Sequence, residues 1–138
     1  MKHLYQSKQK EHGQSMVELA LTFTVLMVLL AGTVDLGRAF FTWIEMRDAA
    51  QEGASFGSIC PTKTKVTARV QDNLNPIYTY TVTPDIPITP QVGDQIKVTV
   101  ITELPLTMPF LGTILGKQFI TIKATINDTI LTSTCTTP

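Results

Sequence analysis

The feature that most constrains this chain is the uncharged run Leu19 to Val34, entered through Gly13-Gln14-Ser15-Met16-Val17-Glu18. At 1.5 Å per residue the run makes roughly 24 Å of helix, short of the ~30 Å hydrocarbon core of a bilayer. Met16 and Val17 before it, and Leu36, Ala39, Phe40 and Phe41 beyond Asp35, extend it to spanning length. Phe40, Phe41 and Trp43 then fall near the far interface, where aromatic side chains, Trp above all, are favoured. Asp35 and Arg38 stand three apart on one helical face. Either they pair, lowering the cost of charge near that boundary, or they mark the end of the span in headgroup water.

Charge placement orients the span. Lys2, Lys8 and Lys10 crowd the first dozen residues against Glu11, and no Lys or Arg follows until Arg38. That asymmetry places the N-terminus in the cytoplasm and the remainder outside. A cleaved secretory signal fits poorly, because the apolar stretch exceeds the usual h-region of about 7–15 residues and Leu29-Leu30-Ala31-Gly32-Thr33 offers no clean small-x-small site. Glu18 is the unusual element. An ionised carboxylate in an apolar layer costs several kcal/mol unless paired. Cleavage after Gly13 would create a partner, the α-amine of Gln14, mostly cationic with a reference pKa of about 7.7–8.0. That amine lies one helical turn from Glu18 in its own chain or reaches Glu18 from a neighbouring subunit, and the two alternatives stand side by side.

Helical character continues past the membrane. No proline occurs between Gln14 and Gly57, and good helix formers are frequent. Val34, Phe41, Ile44, Asp48 and Ala49 suggest an amphipathic outer half, and Gly53, Gly57 and Cys60-Pro61 end the helix. A helix of about 65 Å must find neighbours in lipid or in other helices. Gly32, Gly37 and Gly53 either admit close helix contacts or are tolerated flex points.

The rest reads as a small α+β domain. Val66, Val70 and Leu74 predict a short helix near Lys65 to Leu74, ended by Asn75-Pro76. Ile77 to Val82 reads as a strand. Pro84, Pro87 and Pro90 make an extended connection, and Val92-Gly93-Asp94 a turn. In Gln95 to Leu104, Ile96, Val98 and Val100 share one face and Lys97, Thr99 and Ile101 the other. In Phe119 to Leu131, Ile120, Ile122, Ala124 and Ile126 point inward and Thr121, Lys123, Thr125 and Asn127 outward. These strands predict a three-stranded antiparallel meander packed on the outer half of the long helix. Between the last two, Leu106, Met108, Phe110, Leu111, Ile114 and Leu115 form an apolar loop or short helix that covers a core, contacts a partner or rests on a membrane surface. Cys60 and Cys135 fall in the outer part, where oxidation is permitted. Paired, they would close a loop of about 75 residues, worth roughly 4 kcal/mol on the chain-entropy model; two free thiols or an intersubunit link are the alternatives.

Three stretches in register carry a specific resemblance: Gly13-Gln14-Ser15-Met16-Val17-Glu18-Leu19-Ala20-Leu21, Val34-Asp35-Leu36-Gly37-Arg38-Ala39-Phe40-Phe41, and Ala49-Ala50-Gln51-Glu52-Gly53-Ala54. Over roughly residues 13 to 57 the chain resembles the TadE-like family of minor pilins or pseudopilins of the tight-adherence (Tad, Flp-type) pilus, a branch of the type IV pilus-like machines. The resemblance implies that a prepilin peptidase cuts after Gly13 on the cytoplasmic side, leaving Gln14 as the mature N-terminus and Glu18 as its fifth residue. It also implies other pilin and minor pilin subunits, the inner-membrane assembly platform and membrane lipid as partners, in support of pilus biogenesis and adhesion. Many relatives carry a proline inside the apolar helix. Thr24 stands at the matching place here, so no proline kink is expected.

Three segments result: a cytoplasmic leader, residues 1–13; a transmembrane and assembly helix, 14–57; and an extracytoplasmic α+β domain, 58–138. The zero net charge points away from nucleic acid. The histidines, His3 and His12, both lie in the leader, and the rest shows no His-based acid–base pair, no Cys/His metal spacing and no phosphate-binding glycine loop. Neither enzyme activity nor a cofactor or metal is expected, and the Asn127-Asp128-Thr129 sequon carries little weight. The classes left are a pilus subunit and an uncleaved bitopic anchor displaying a small binding domain.

Overall fold

The computed structural model describes residues 8–107 and 116–135, with side chains from residue 13 onward. One helix, α1 (Lys8–Ile59), runs 52 residues without interruption, about 78 Å. It is followed by α2 (Lys63–Asp72), β1 (Tyr80–Asp85), β2 (Gln95–Pro105) and β3 (Phe119–Thr129). The strands form an antiparallel meander in the order β1-β2-β3. The architecture is α+β: a long N-terminal helix, a short helix and a three-stranded antiparallel sheet.

Register fixes the two ends of the sheet. Tyr80 pairs with Thr102 and Pro105 with Phe119 at one end, here called the base. Asp85 pairs with Lys97 and Gln95 with Thr129 at the other, the apex. The outer part of α1 runs from base to apex: Asp35 accepts a hydrogen bond from the Thr107 amide, and the Ser58 carbonyl accepts from the amides of Leu131 and Thr132. From Asp35 to Ser58 the helix is about 36 Å long, matching about 36 Å for the eleven residues of β2. The helix therefore lies along the whole sheet.

The core lies between sheet and helices. Ile96, Val98, Val100 and Leu104 of β2, Ile122 and Ala124 of β3, and Val66, Val70 and Leu74 are buried against Met46, Ala49, Ala50 and Ala54 of α1. The alternation read from the sequence holds in both long strands, except that Ile120, at the base, keeps 40 % of its surface exposed. The helical stripe differs from expectation. Val34 and Phe41 face outward and Asp48 is exposed, whereas Asp35, Thr42, Met46, Ala49, Ala50, Gly53, Ala54 and Gly57 turn inward. The small residues among them, Ala49, Ala50, Gly53, Ala54 and Gly57, let neighbours approach closely. A Cβ on Gly53 would collide with the Val70 side chain, and one on Gly57 with Ile96. Gly53 thus admits α2 of its own chain, while Gly32 and Gly37 stand in open space.

Boundaries shift where turn chemistry intervenes. α2 begins two residues before the expected start, directly after Pro61-Thr62. β1 begins three residues later than expected. Asn75 captures the Ile77 amide with its side chain and the Tyr78 amide with its carbonyl, so those residues turn instead of pairing. β1 also includes Pro84, tolerated because this is an edge strand. β3 stops at Thr129, and Ile130 closes the apex with its amide on the Asp94 carbonyl and its carbonyl on the Gly93 amide. Gly93 has φ +97°, a conformation open to glycine at little cost. Of the apolar β2–β3 segment, Met108, Phe110, Leu111, Ile114 and Leu115 lie outside the described residues, as does His3.

Candidate membrane-spanning helix and its junction with the domain

From Gly13 to Leu30 every side chain of α1 is exposed, and the domain first covers the helix at Asp35. Within this bare stretch, the part from Met16 to Val34 is about 28 Å long, against ~30 Å of hydrocarbon to cross. Its mean hydropathy reaches 2.1 over the most apolar window, and it is the one helix among the described residues long and apolar enough to span a membrane. Two of its threonines satisfy their hydroxyls on the helix itself: Thr24 Oγ1 donates to the Ala20 carbonyl at 2.8 Å and Thr33 Oγ1 to the Leu29 carbonyl at 2.9 Å. The backbone stays helical through Thr24, where a proline would have removed a hydrogen bond.

Gly13, Gln14 and Glu18 sit together on the bare helix, just ahead of the uncharged run. Gly13 lies within α1 with open space around its Cα, and Gln14 and Glu18 are one turn apart and exposed. Glu18 has no ion pair or hydrogen bond among the described residues. About 26 Å of helix separates it from Asp35, so these residues and the Asp35–Arg38 pair form two sites.

Asp35 is 8 % exposed, and its Oδ1 lies 3.7 Å from the Arg38 guanidinium. The same carboxylate oxygen accepts from the Thr107 amide at 3.4 Å. Arg38 donates to Thr107 Oγ1, and to the Tyr78 hydroxyl at 3.4 Å. The pair therefore joins the helix to the segment leaving β2 and to the segment entering β1. Tyr78 and Thr107 carry no sequence signal for this role, because polar contacts 40 and 69 residues apart leave no local period. On the opposite side of the helix Phe40 stacks on Trp43 with centroids 6.4 Å apart, Phe41 packs edge-on to Phe40, and Arg47 lies over the Trp43 ring at 5.7 Å. That outward face is apolar through Trp43 and polar from Arg47.

At the apex a disulfide joins Cys60 and Cys135. The chain before Cys135 is also held by Thr132, whose hydroxyl donates to the Ile59 carbonyl at 2.9 Å. Nearer the base, Tyr80 has a buried hydroxyl without a partner among the described residues. Burial first, then the negative Glu45 and the neighbouring Tyr78, push this phenol up to about 12.

The geometry defines a class: a small α+β head carried on an unbroken helix whose bare half has the length and polarity of a membrane span. Residues 13–55 match the family model described as TadE-like protein. The match takes in Gly13 to Glu18, the bare stretch, the Asp35–Arg38 pair and the small-residue stripe up to Ser55, while α2 and the sheet lie beyond it. No curated protein matches the chain. No solved structure matches it either. The match and the apolar helix together support a membrane protein related to the Tad pilus, with a single-pass anchor.

Proposed function

We propose that this chain is a TadE-like minor pilin, cut by a prepilin peptidase after Gly13 and assembled through its N-terminal helix. The observation that carries the reading is the bare span itself. It carries Glu18 one turn after Gln14 and lies inside the family match. A carboxylate so placed on an otherwise apolar helix is costly unless a cation meets it. The new α-amine of Gln14, in the same chain or in the next, supplies that cation only after cleavage. Residues 1–13 are then a leader on the cytoplasmic side, 14–57 the assembly helix and 58–138 the outer domain. The partners are other pilin and minor pilin subunits, the peptidase, the assembly platform and lipid, and the role is structural, in pilus biogenesis and adhesion.

The alternative is an uncleaved bitopic anchor, favoured by one observation: α1 is helical straight through Gly13. N-terminal sequencing of the membrane-extracted protein separates the two. A mature chain beginning at Gln14 is expected. An intact Met1 in cells containing the peptidase refutes the pilin reading.

A further inference from the structure

The inference here rests on the membrane-spanning reading of α1 and concerns where that reading puts the domain. α1 has no break between its bare and covered parts, so no spacer separates span from domain. Met16 to Val34 alone makes about 28 Å of helix, close to the ~30 Å hydrocarbon thickness. Asp35 and Arg38 therefore fall in the headgroup layer, and they are clamped to Thr107 and Tyr78, residues of the base.

The described residues around this clamp suit such a location. Ile77, the neighbour of Tyr78, is 76 % exposed, and Phe119, paired with Pro105, is 51 % exposed. Both line one shallow hollow of about 640 Å³ at the base. Lys117 stands exposed beside Gln118, whose carbonyl holds the Leu106 amide at 3.0 Å. The charges here are Arg38 and Lys117, with Asp35 turned into the clamp and Glu103 exposed at the rim of the hollow. Exposed apolar groups beside cations are the pattern of an interface that meets glycerol and phosphate together. Across the helix, Phe40 and Phe41 continue the apolar level.

We propose that the base of the domain is a second, peripheral membrane contact, with Ile77 and Phe119 entering the headgroup region and Lys117 and Arg38 meeting lipid phosphates. The test uses the full chain in phospholipid vesicles, its disulfide left oxidised, carrying single cysteines with an environment-sensitive fluorophore at position 26, 77, 88 or 119. Collisional quenching by lipids with a nitroxide near the headgroup is then measured. The labels at 77 and 119 should be quenched several-fold more than the label at 88, an apical position fully exposed to water. Equal, weak quenching at 77, 119 and 88, with the label at 26 responding to lipid, overturns the base contact and leaves the span intact. A label at 26 that does not respond to lipid overturns the span and the contact together. A blue-shifted label at 119 without lipid quenching means another protein surface covers the base, and it also overturns the proposal.

Discussion

Replacing both cysteines, Cys60→Ser with Cys135→Ser, removes a covalent link across a sequence separation of 75 residues. That loop encloses α2 and the entire sheet, so the link restrains nearly the whole domain when it unfolds. On the chain-entropy relation a loop this long contributes about 4.5 kcal/mol at 25 °C. A domain of some 80 residues has about 4–12 kcal/mol of total stability at the usual 0.05–0.15 kcal/mol per residue. Loss of the link therefore leaves it anywhere from unfolded to about 7.5 kcal/mol of stability, a third or more of the total removed in every case. The noncovalent contacts at the same place, Leu131 and Thr132 on Ser58 and Ile59, remain available to the folded variant but do not constrain the unfolded chain. Urea unfolding of the full chain in detergent micelles, followed by pulse proteolysis, gives the midpoint. With a slope of about 1.5 kcal/mol per molar the midpoint should fall by about 3 M. A fall of less than about 1 M at unchanged slope would refute the reasoning, because the loop would then not have been open in the unfolded state.

Glu18→Ala should leave cleavage after Gly13 intact and reduce incorporation into filaments; normal incorporation in a filament-recovery assay counts against the charge pairing. Gly53→Val should cost about 1–3 kcal/mol through collision with Val70, only slightly offset because Val is a somewhat better helix former than Gly. Gly37→Ala, in open space, should gain up to ~1 kcal/mol, and equal thermal shifts for the two would show that Gly53 is not a packing contact. Tyr80 retains its proton to about pH 12 in the folded chain, but the unfolded chain releases it near pH 10. The folded state binds more protons in that window, so stability falls as pH rises from about 10 to 12 and is unaffected by this group below it. Tyr80→Phe should remove that part of the alkaline loss in pH-resolved thermal melts. It should also raise the melting temperature at neutral pH or leave it unchanged, since the lost hydroxyl is buried without a partner among the described residues.

The sheet was legible because its signal is local: Ile96, Val98 and Val100, then Ile122 and Ala124, announce a buried face by period two. The bare span was legible for the same reason, a run of large apolar residues free of charge. The packing face of α1 was not. Ala49, Ala50, Gly53, Ala54 and Gly57 matter because they are small, and small residues raise no hydrophobic period. The larger Val34 and Phe41 mark the side turned away from the domain. The start of β1 escaped because an Asn75 side-chain contact overrides the strand preference of Ile77 and Tyr78. At the candidate site, Asp35 and Arg38 were visible as charges, but what they hold was not, since Tyr78 and Thr107 arrive only through the folded topology.

The unbroken course of α1 also locks span and head in phase. Each residue of an α-helix turns the chain by about 100° and advances it 1.5 Å. A single residue inserted between Val34 and Asp35 would lift the head only slightly but swing it through more than a quarter of a circle. Seven residues, nearly two full turns, restore its azimuth to within about 20° while raising it about 10 Å. The helix therefore behaves as a shaft keyed to its load: rotation of the span about its own axis is delivered to the head undiminished, and the direction the sheet faces is set inside the bilayer.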